Sequence, residues 1–398
     1  MAKIALLGHG VVGTGVVNII ANKAEQLAKE TGEDIEIKYI LVRHDYDVDY
    51  KEKFVTDFSV IENDEEIDII VEAMGGTKPA YEYLKSALEK GKSVVTSNKE
   101  LVAKHGYELM KIAAEKNANF IFEAAVGGAV PVIHGVRNCL KANTVNSISG
   151  ILNGTTNYIL TKMIEEKMSF ESALKQAQEL GYAEADPSAD VDGIDTCRKI
   201  CILADIIFGH HIYPENVYTQ GIRNVRLKDV DILKTIGACI KLLGVAKRTY
   251  NGKILVMTAP FVVFNQGILY ATNDVFNAAQ LETDNAGLMS FYGRGAGSLP
   301  TGSAVVNDVV ECVLNKGKTI YPCWKDENKE LVADYTEVPM RFYVATEENS
   351  ENINKVFTDA EIVWSEKETA FITSKLTEKE LNEKLKDLKV KSVVRVLD

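Results

Sequence analysis

An apolar strand that runs directly into a glycine turn and then into a helix opens this chain. Residues 3–8 read Lys-Ile-Ala-Leu-Leu-Gly, the pattern Gly-His-Gly-Val-Val-Gly occupies 8–13, and an apolar helical segment follows at 16–20. Glycines at this spacing allow a tight turn, the close approach of a pyrophosphate and helix-on-strand packing, and phosphates bind at the helix N-terminus. The opening predicts a dinucleotide site, and the alternative is a glycine turn in another α/β unit. The candidate cofactor residues here are Gly8, Gly10, Val11, Val12 and Gly13.

Apolar strands and helices continue to alternate through the first 130 residues, which is typical of a doubly wound parallel sheet. Ligands of such a sheet gather at the carboxyl ends of its strands. Strands are predicted at 35–42, 68–76, 93–99 and from 119, with a helix from 79 to about 91. The further candidates at strand ends are Arg43, Gly75, Ser97, Asn98 and Lys99.

The end of the second strand bears on the choice of cofactor. An NAD-specific fold places an acidic residue there, which binds the ribose hydroxyls. This chain has Arg43 and His44 at that place, and an arginine suits the 2′-phosphate of NADP. NADP is therefore favoured, while Asp45, one step further, could still allow NAD.

An acidic stretch at residues 181–199 turns into an apolar helix, which we expect to begin between 192 and 195. Asp195 and Lys199 are four residues apart and share one helical face. An acidic loop with a surface salt bridge is the simpler interpretation. We favour a site in which carboxylates hold a cationic substrate group and the lysine exchanges a proton. The five carboxylates of the stretch are Glu184, Asp186, Asp190, Asp192 and Asp195.

Two other turns could bind ligands through their backbones. In the segment 119–131, Glu123 and exposed carbonyl oxygens could hold a hard cation, or the segment could be a plain strand-to-helix turn. The Asn-Gly-Thr-Thr turn at 153–156 could bind a carboxylate through its amides and hydroxyls, or simply cap the following helix.

The remaining segments complete the predicted architecture. A second region begins with a strand at 145–152, and a glycine-dense loop at 291–301, expected beside the cofactor, precedes a helix at 304–313. Strands are also expected at 254–264 and 267–270, where the surface could serve dimerisation. The chain ends in a βαββαβ module with strands at 341–346, 361–364, 370–374 and 390–397 and helices at 349–357 and 378–388.

Composition excludes several classes of protein. The net charge of -12 opposes binding to a nucleic acid or an anionic membrane. No apolar run reaches membrane-spanning length, and the N-terminus lacks the features of a signal peptide. The six cysteines complete no zinc set, and we read them as reduced. We expect a cytoplasmic protein with a small-molecule substrate.

Taken together, these motifs resemble homoserine dehydrogenase over roughly residues 3 to 315. The resemblance implies the NAD(P)-dependent interconversion of L-homoserine and L-aspartate 4-semialdehyde, in the biosynthesis of threonine, methionine and isoleucine. It rests on the combined order of the turn 8–13, the segments 94–99, 123–128, 150–158 and 181–187, the segment 190–195 with Lys199, and the segment 293–297.

The resemblance also implies roles for individual residues. Lys199 would be the acid/base residue beside Asp195, and Lys99 would assist at the reacting oxygen. Contacts with the substrate are expected from Glu184, Asp190, Asp195, Asn153, Gly154, Thr155, Thr156 and Tyr182. The cofactor would be NADP, with NAD as the alternative, and Gly181, Gly295 and Gly297 would lie near it. A sodium ion would be held by Glu123 with the carbonyls of Val126, Gly128 and Val130.

The implied fold is α/β, with a Rossmann dinucleotide-binding domain at residues 1–134 that is completed by about 292–320. An α+β catalytic and dimerisation domain would occupy 135–291, and a divergent ACT-like domain would occupy 322–398. The first turn of that domain, from Glu347, lacks the glycine that allows close approach to a small amino acid. A structural or oligomerisation role is therefore favoured, in a homodimer or homotetramer.

Two other functions fit parts of the sequence. A related amino-alcohol or semialdehyde dehydrogenase could use the same scaffold. An acylating enzyme of that kind needs a cysteine nucleophile with a histidine base, and Cys139 lies in a predicted helix without such a motif. An NADP-binding amino-acid sensor is the third hypothesis, and the lysine pair Lys99 and Lys199 argues against it.

Overall fold

Helices and strands alternate along the chain in a computed structural model that describes residues 1–44, 46–326 and 329–398. Asp45, the alternative NAD-binding residue, lies outside the described residues. The helices are α1 Val11–Asn22, α2 Ala24–Thr31, α3 Phe58–Glu62, α4 Ala80–Glu89, α5 Lys99–Glu115, α6 Val132–His134, α7 Gly154–Glu165, α8 Phe170–Glu179, α9 Ser188–Val191, α10 Ile194–Phe208, α11 Leu227–Thr235, α12 Ile268–Ala271, α13 Ser298–Leu314, α14 Ser350–Val356 and α15 Glu378–Leu385. The strands are β1 Ala2–Leu7, β2 Ile35–Leu41, β3 Phe54–Val55, β4 Ile69–Glu72, β5 Ser93–Thr96, β6 Phe120–Ile121, β7 Val145–Ile151, β8 Tyr218–Thr219, β9 Ala238–Arg248, β10 Ile254–Phe264, β11 Phe276–Thr283, β12 Gly287–Arg294, β13 Arg341–Thr346, β14 Glu361–Ser365, β15 Thr369–Ile372 and β16 Val390–Val396.

The chain divides into two compact units, each built on its own sheet. Unit 1 comprises residues 1–141, 201–214 and 293–327, and unit 2 comprises residues 142–200, 215–292 and 328–398. The three-domain division expected from the sequence, with a separate module at 322–398, stays a prediction.

The sheet of unit 1 is parallel and has the strand order β3-β2-β1-β4-β5-β6. This is the order of a Rossmann-type dinucleotide-binding fold. The order reverses between β1 and β4, which lie side by side and are almost fully buried. The predicted parallel sheet is confirmed, and its carboxyl-terminal edge at this reversal is where such folds bind ligands.

A close contact between α1 and α13 supports the glycine turn of unit 1. A Cβ at Gly15 would collide with the carbonyl oxygen of Ser298, so only glycine fits there. The sequence predicted this second helix at 304–313, but α13 begins at Ser298. Pro300 is compatible with this earlier start because the first turn of a helix needs no N–H from its residues.

The sheet of unit 2 is mixed and has the order β12-β11-β7-β9-β10-β16-β13-β15-β14, with β8 paired to β10. β9 and β10 pair antiparallel along their full lengths, and β16 joins β10 in parallel. The predicted order of the last segment is confirmed as β13, α14, β14, β15, α15 and β16. These strands therefore extend the sheet of the central region.

The central strands of this sheet are buried on both faces within unit 2. On one face, Met257 and Phe261 of β10 pack with residues of α14 and α15 such as Ile353 and Leu381. On the other face, residues of β9 and β13 pack against α11. Burial of each such side chain contributes about 1.5–3 kcal/mol. Among the described residues, every helix is too short or too polar to be a candidate transmembrane segment.

Three expectations for this region were wrong or incomplete. The strand predicted at 267–270 is the helical turn α12, because Gly267 adopts φ +104° and the hydroxyl of Thr272 donates to the carbonyl of Ile268. Part of the predicted loop 291–301 belongs to β12, which pairs along β11. Strand β9 was not predicted, because its continuous burial gives no alternating pattern.

Candidate active site

The glycine turn of unit 1 leaves the N-terminus of α1 open to a ligand. Gly8 has φ +100°, and a Cβ there would lie 2.8 Å from a carbonyl oxygen of the loop after β4. A Cβ at Gly13 would collide with the carbonyl oxygen of Gly8, whereas the space beside Gly10 is open. Val11 and Val12 open the helix, and Val11 is exposed. The turn thus has the tight backbone and open helix end that a pyrophosphate requires.

Hydrogen bonds join the ends of β4 and β5. The carboxylate of Glu72 is fully buried and accepts from the N–H of Gly75 at 3.1 Å. Asn98 donates to the carbonyl of Gly76 at 2.6 Å and also caps α5. Burial raises the pKa of Glu72. Glu72 was not predicted as a site residue, although a carboxylate at the end of an apolar strand before two glycines is a readable signal.

Lys99 lies at the start of a helix and not at the end of a strand. The strand predicted at 93–99 ends at Thr96, because Asn98 takes the N-cap position of α5. Ser97 lies between the strand and this cap, and its N–H donates to the carbonyl of Glu72 at 3.3 Å. These residues follow the carboxyl end of β5, as the sequence predicted.

Arg43 is exposed just beyond the carboxyl end of β2. Behind the glycine turn, the buried ring of His9 forms a 2.9 Å hydrogen bond with the hydroxyl of Tyr50. The rings of Tyr46 and Phe54 also pack against His9. This cluster was not predictable from the sequence because irregular segments separate its members.

A buried polar cluster in unit 2 surrounds Lys199. Its Nζ lies 2.8 Å from Oδ2 of Asp195 and donates to the carbonyl of Leu152 at 2.7 Å. Asn153 donates through Nδ2 to Asp195 at 2.9 Å and to Asp190 at 2.6 Å. Lys199 is 8% exposed and Asp195 is 2% exposed, so this is not a surface salt bridge. The predicted pairing on one helical face is confirmed, while its chemical role stays a prediction.

Two residues of this cluster lie at the starts of helices. Asn153 is the N-cap of α7, and its Oδ1 accepts from the N–H of Thr156 at 2.8 Å. Asp195 lies in the first turn of α10, which begins at Ile194 as the sequence predicted. Asp190 lies in the short helix α9, and Gly193, with φ +84°, comes between that helix and the start of α10. One asparagine thus caps a helix and bridges two carboxylates.

The turn at 153–156 offers backbone donors beside this cluster. No acceptor for the N–H groups of Gly154 and Thr155 is found among the described residues. The hydroxyl of Thr155 donates to the carbonyl of Tyr182 at 2.6 Å, and the hydroxyl of Thr156 donates to Oδ1 of Asn153 at 2.9 Å. The ring of Tyr182 is exposed and stands edge-on to Tyr158. The turn can therefore accept an anion at an open helix end.

The structure does not bring all five carboxylates of the acidic stretch together. Glu184 is exposed, and its carboxylate makes no hydrogen bond or ion pair with the residues that the structure describes. Asp186 caps the turn at Ser188, and Asp192 pairs with Arg223 at 2.5 Å. Only Asp190 and Asp195 share the cluster, because they approach Asn153 from α9 and α10.

The predicted cation site lies in the turn after β6 in unit 1. Gly127 and Gly128 have positive φ angles, and no donor to the carbonyls of Val126 and Gly128 is found in the described part of the chain. The carbonyl of Val130 accepts from the N–H of Val132 at 2.8 Å. These carbonyls could be ligands for a hard cation.

Glu123 is less suited to the cation than the carbonyls are. Its two carboxylate oxygens accept from the N–H groups of Ile133 at 2.9 Å and His134 at 2.6 Å. Burial and the nearby Asp308 raise the pKa of Glu123 to about 7. Across the described residues, no group of three or more His, Cys, Asp and Glu could hold a metal ion. The hydrogen bond between His134 Nε2 and Asp308 Oδ1, at 3.2 Å, was not predicted from the sequence.

The remaining predicted cofactor glycines lie in turns. In unit 1, Gly297 has φ +123° and directly precedes α13, and the carbonyl oxygen of Gly295 would collide with a Cβ at Gly128. In unit 2, Gly181 has φ +76° and open space beside it. Each position therefore favours glycine for conformation or space.

Comparison with known proteins gives a consistent result. A family model described as homoserine dehydrogenase, NAD binding domain, matches residues 8–123, and one described as homoserine dehydrogenase matches residues 131–310. The chain is 37% identical over 368 residues to homoserine dehydrogenase of Bacillus subtilis, covering 90% of this chain and 85% of the relative. It is 42% identical over 320 residues to that of Mycobacterium bovis, covering 79% and 72%.

Solved structures agree with the sequence comparison. A homoserine dehydrogenase from Thiobacillus denitrificans superposes with a TM-score of 0.89 at 32% identity, covering 100% of this chain and 98% of that one. A hyperthermophilic archaeal homoserine dehydrogenase in complex with NADPH gives a TM-score of 0.68 at 29% identity, covering 81% and 99%.

Proposed function

The chain belongs to the homoserine dehydrogenase family, and from this premise we propose how its residues carry the reaction. It is an NAD(P)-dependent oxidoreductase acting on a CH–OH group, which interconverts L-homoserine and L-aspartate 4-semialdehyde. We place this reaction in the biosynthesis of threonine, methionine and isoleucine. The observation that carries the proposal is the buried cluster of Lys199, Asp195 and Asn153.

Lys199 is the acid/base residue in this proposal. A bound nicotinamide cofactor would supply the hydride chemistry, as donor in the reducing direction and as acceptor in the other. The oxygen bonded to the carbon that gains or loses the hydride must also gain or lose a proton. An ammonium group can exchange that proton. Asp195, 2.8 Å from Lys199 Nζ, fixes the lysine and keeps its charge balanced. We assign Lys99 as a second lysine that assists at the reacting oxygen.

The substrate is a zwitterion, and the two sides of the turn at 153–156 suit its two charges. Asp190 and Glu184 are assigned to the ammonium group, and Tyr182 to the rim of the pocket. The N–H groups of Gly154 and Thr155 are assigned to the carboxylate. The hydroxyls of Thr155 and Thr156 are assigned to it as well, and each would have to leave its present acceptor, the carbonyl of Tyr182 or Oδ1 of Asn153, to donate to the substrate. Glu184 is exposed and would have to be ordered by the substrate.

We propose NADP as the preferred cofactor, bound by the glycine turn and by Arg43. The assigned residues are Gly8, Gly10, Val11, Val12, Gly13, Arg43, Gly75, Ser97, Asn98, Lys99, Gly181, Gly295 and Gly297. We expect Arg43→Asp to weaken the binding of NADP about tenfold, because a phosphate contact is lost and a repulsive charge is added. The binding of NAD should be affected less. Equal weakening in fluorescence titrations would contradict the role of Arg43.

A sodium ion, held by the carbonyls of Val126, Gly128 and Val130 beside Glu123, is part of the proposal. So are an ACT-like module at 322–398 with a structural role, a homodimeric or homotetrameric assembly, and a place in the cytoplasm. Activity in sodium-free buffer with added choline chloride tests the cation, and light scattering tests the assembly.

The direct test is reduction of the cofactor by purified protein with L-homoserine. We expect absorbance at the nicotinamide band to rise with NADP and more slowly with NAD. A folded protein that binds NADPH but reduces neither cofactor would contradict the function.

A further inference from the structure

One buried lysine of unit 2 has no part in the function proposed above. Lys241 lies in β9 and is 1% exposed. No carboxylate lies within ion-pairing distance of its ammonium group among the described residues, and burial lowers its pKa. Burying an ammonium group without a counter-ion is unfavourable. The protein must therefore supply neutral hydrogen-bond acceptors for this ammonium group.

Three oxygen atoms surround the ammonium group of Lys241. It donates to the carbonyl of Thr272 at 2.6 Å, to Oδ1 of Asn273 at 2.9 Å and to Oδ1 of Asn157 at 3.2 Å. The first two belong to the segment that follows α12, which, together with Phe276 at the start of β11, we call the 272–276 loop. The third belongs to α7. The lysine thus joins this loop to the helix that carries the substrate-binding turn.

Asn157 holds the same loop from the side of α7. Its Nδ2 donates to the carbonyls of Thr272 at 3.2 Å, Asp274 at 2.9 Å and Phe276 at 3.3 Å. The Asn157 amide is 2% exposed, so water does not compete for these bonds. Lys241 and Asn157 therefore fix the loop backbone at successive points.

The 272–276 loop also packs against the turn at 153–154. A Cβ at Gly154 would lie 2.9 Å from the carbonyl oxygen of Val275, so the loop backbone packs directly against the first residue of α7. Asn153, immediately before it, donates to Asp195, the partner of Lys199. A displaced loop would therefore move the residues that meet the substrate.

We propose that Lys241 is a positioning residue of the substrate pocket, acting through Asn157 and the 272–276 loop on the turn at 153–154. It does not contact the substrate. The inference rests on the proposed function, because it takes that turn as part of the homoserine site.

Replacing Lys241 by methionine keeps much of the side-chain length and removes the three hydrogen bonds. We expect Lys241→Met to raise the KM for L-homoserine about tenfold, since small misplacements of a binding group are costly. The dissociation constant of NADPH, measured by fluorescence, should stay unchanged. General destabilisation would instead lower the active fraction and hence kcat, without raising the KM for homoserine.

Lys247 provides a matched control on the same strand. It lies six residues further along β9, on the same face by the two-residue period, and burial lowers its pKa as well. It makes no hydrogen bond to the 272–276 loop within the described residues. We expect Lys247→Met to leave the KM for homoserine at the wild-type value.

Asn273→Ala is a milder variant that keeps the lysine and removes one of its three partners. It should raise the KM for homoserine about threefold, in the same direction as Lys241→Met. This variant still tests the inference if Lys241→Met does not fold. An unchanged KM in this variant, or an equal rise in Lys247→Met, would overturn the inference. Failure of the wild-type protein to oxidise homoserine would overturn the proposed function instead.

Discussion

Helix α10 carries a buried carboxylate towards each end, and the two carboxylates have different surroundings. Asp195 pairs with Lys199 and receives a hydrogen bond from Asn153, which also reaches Asp190. Asp205 pairs with His211 at 2.7 Å, and both side chains are completely buried.

The difference between the two pairs lies in what surrounds the base. The His211 ring stacks on Trp324 with a centroid distance of 5.6 Å and an angle of 8°, and Tyr213 stands edge-on to it. The ammonium group of Lys199 lies among other polar groups. Aromatic rings that exclude water suit a structural pair, whereas polar neighbours suit proton exchange with a substrate. Four predictions test this contrast.

The largest effect is expected at the Asp195 end. Lys199→Met should lower kcat about a thousandfold, the scale of a lost general acid, with NADPH binding retained. Steady-state kinetics and fluorescence titration measure the two quantities. Lys175→Met is the control, because Lys175 also forms an i,i+4 pair, 3.9 Å from Glu179, but is exposed. Unchanged turnover in Lys199→Met would refute the catalytic assignment.

At the other end, Asp205→Ala should act on stability and not on chemistry. Removing one partner of a buried pair costs about 3 kcal/mol, so the midpoint of chemical unfolding should fall while the folded variant keeps its kcat. Glu66→Ala is the control, since Glu66 is exposed and ion pairs on the surface contribute little to stability. A large loss of kcat in folded Asp205→Ala would break the contrast between the two ends.

The two pairs also differ in how far the sequence could predict them. Asp195 and Lys199 belong to one helix, so their spacing alone fixes the contact. His211 lies beyond the end of α10, after Gly209 has turned the chain with φ +74°. The return path depends on that turn and on packing against Trp324, neither of which has a periodic signal. Contacts within one element were predictable, and contacts made by chain reversals were not.

The same limit applies to the fold and to the candidate site. The parallel sheet was predictable because each strand and its following turn are local patterns. β9 was missed because a strand buried on both faces has no alternation, and Lys241 was missed with it. The cap and bridging roles of Asn153 combine residues from three helices, and only the cap is encoded next to it in the sequence.

The pH dependence of stability provides a third test. Burial raises the pKa of Asp205 from its ordinary value of 3.8 to about 7. Between these values the folded protein holds a proton that the unfolded chain has released, so this group's contribution to stability is lost as the pH rises from about 4 to about 7. The unfolding free energy of the wild type should therefore fall relative to that of Asp205→Asn as the pH rises over this range. Parallel pH profiles for the two proteins would contradict this.

The smallest effect is expected from the aromatic cover of His211. A Cβ at Gly106 in α5 would lie 2.7 Å from Cζ3 of Trp324, whose ring stacks on His211. Gly106→Ala gains about 1 kcal/mol of helix propensity, but overpacking costs about 1–3 kcal/mol because the ring must move. We expect a net loss of about 1 kcal/mol and a shifted Trp324 emission, measured in a Trp364→Phe background so that one tryptophan remains. Trp364→Phe alone is the reference. A more stable variant with unchanged emission would show that the Trp324 ring can move at little cost. The Asp205–His211 pair would then lack the rigid aromatic packing that distinguishes it from the pair of Asp195 and Lys199.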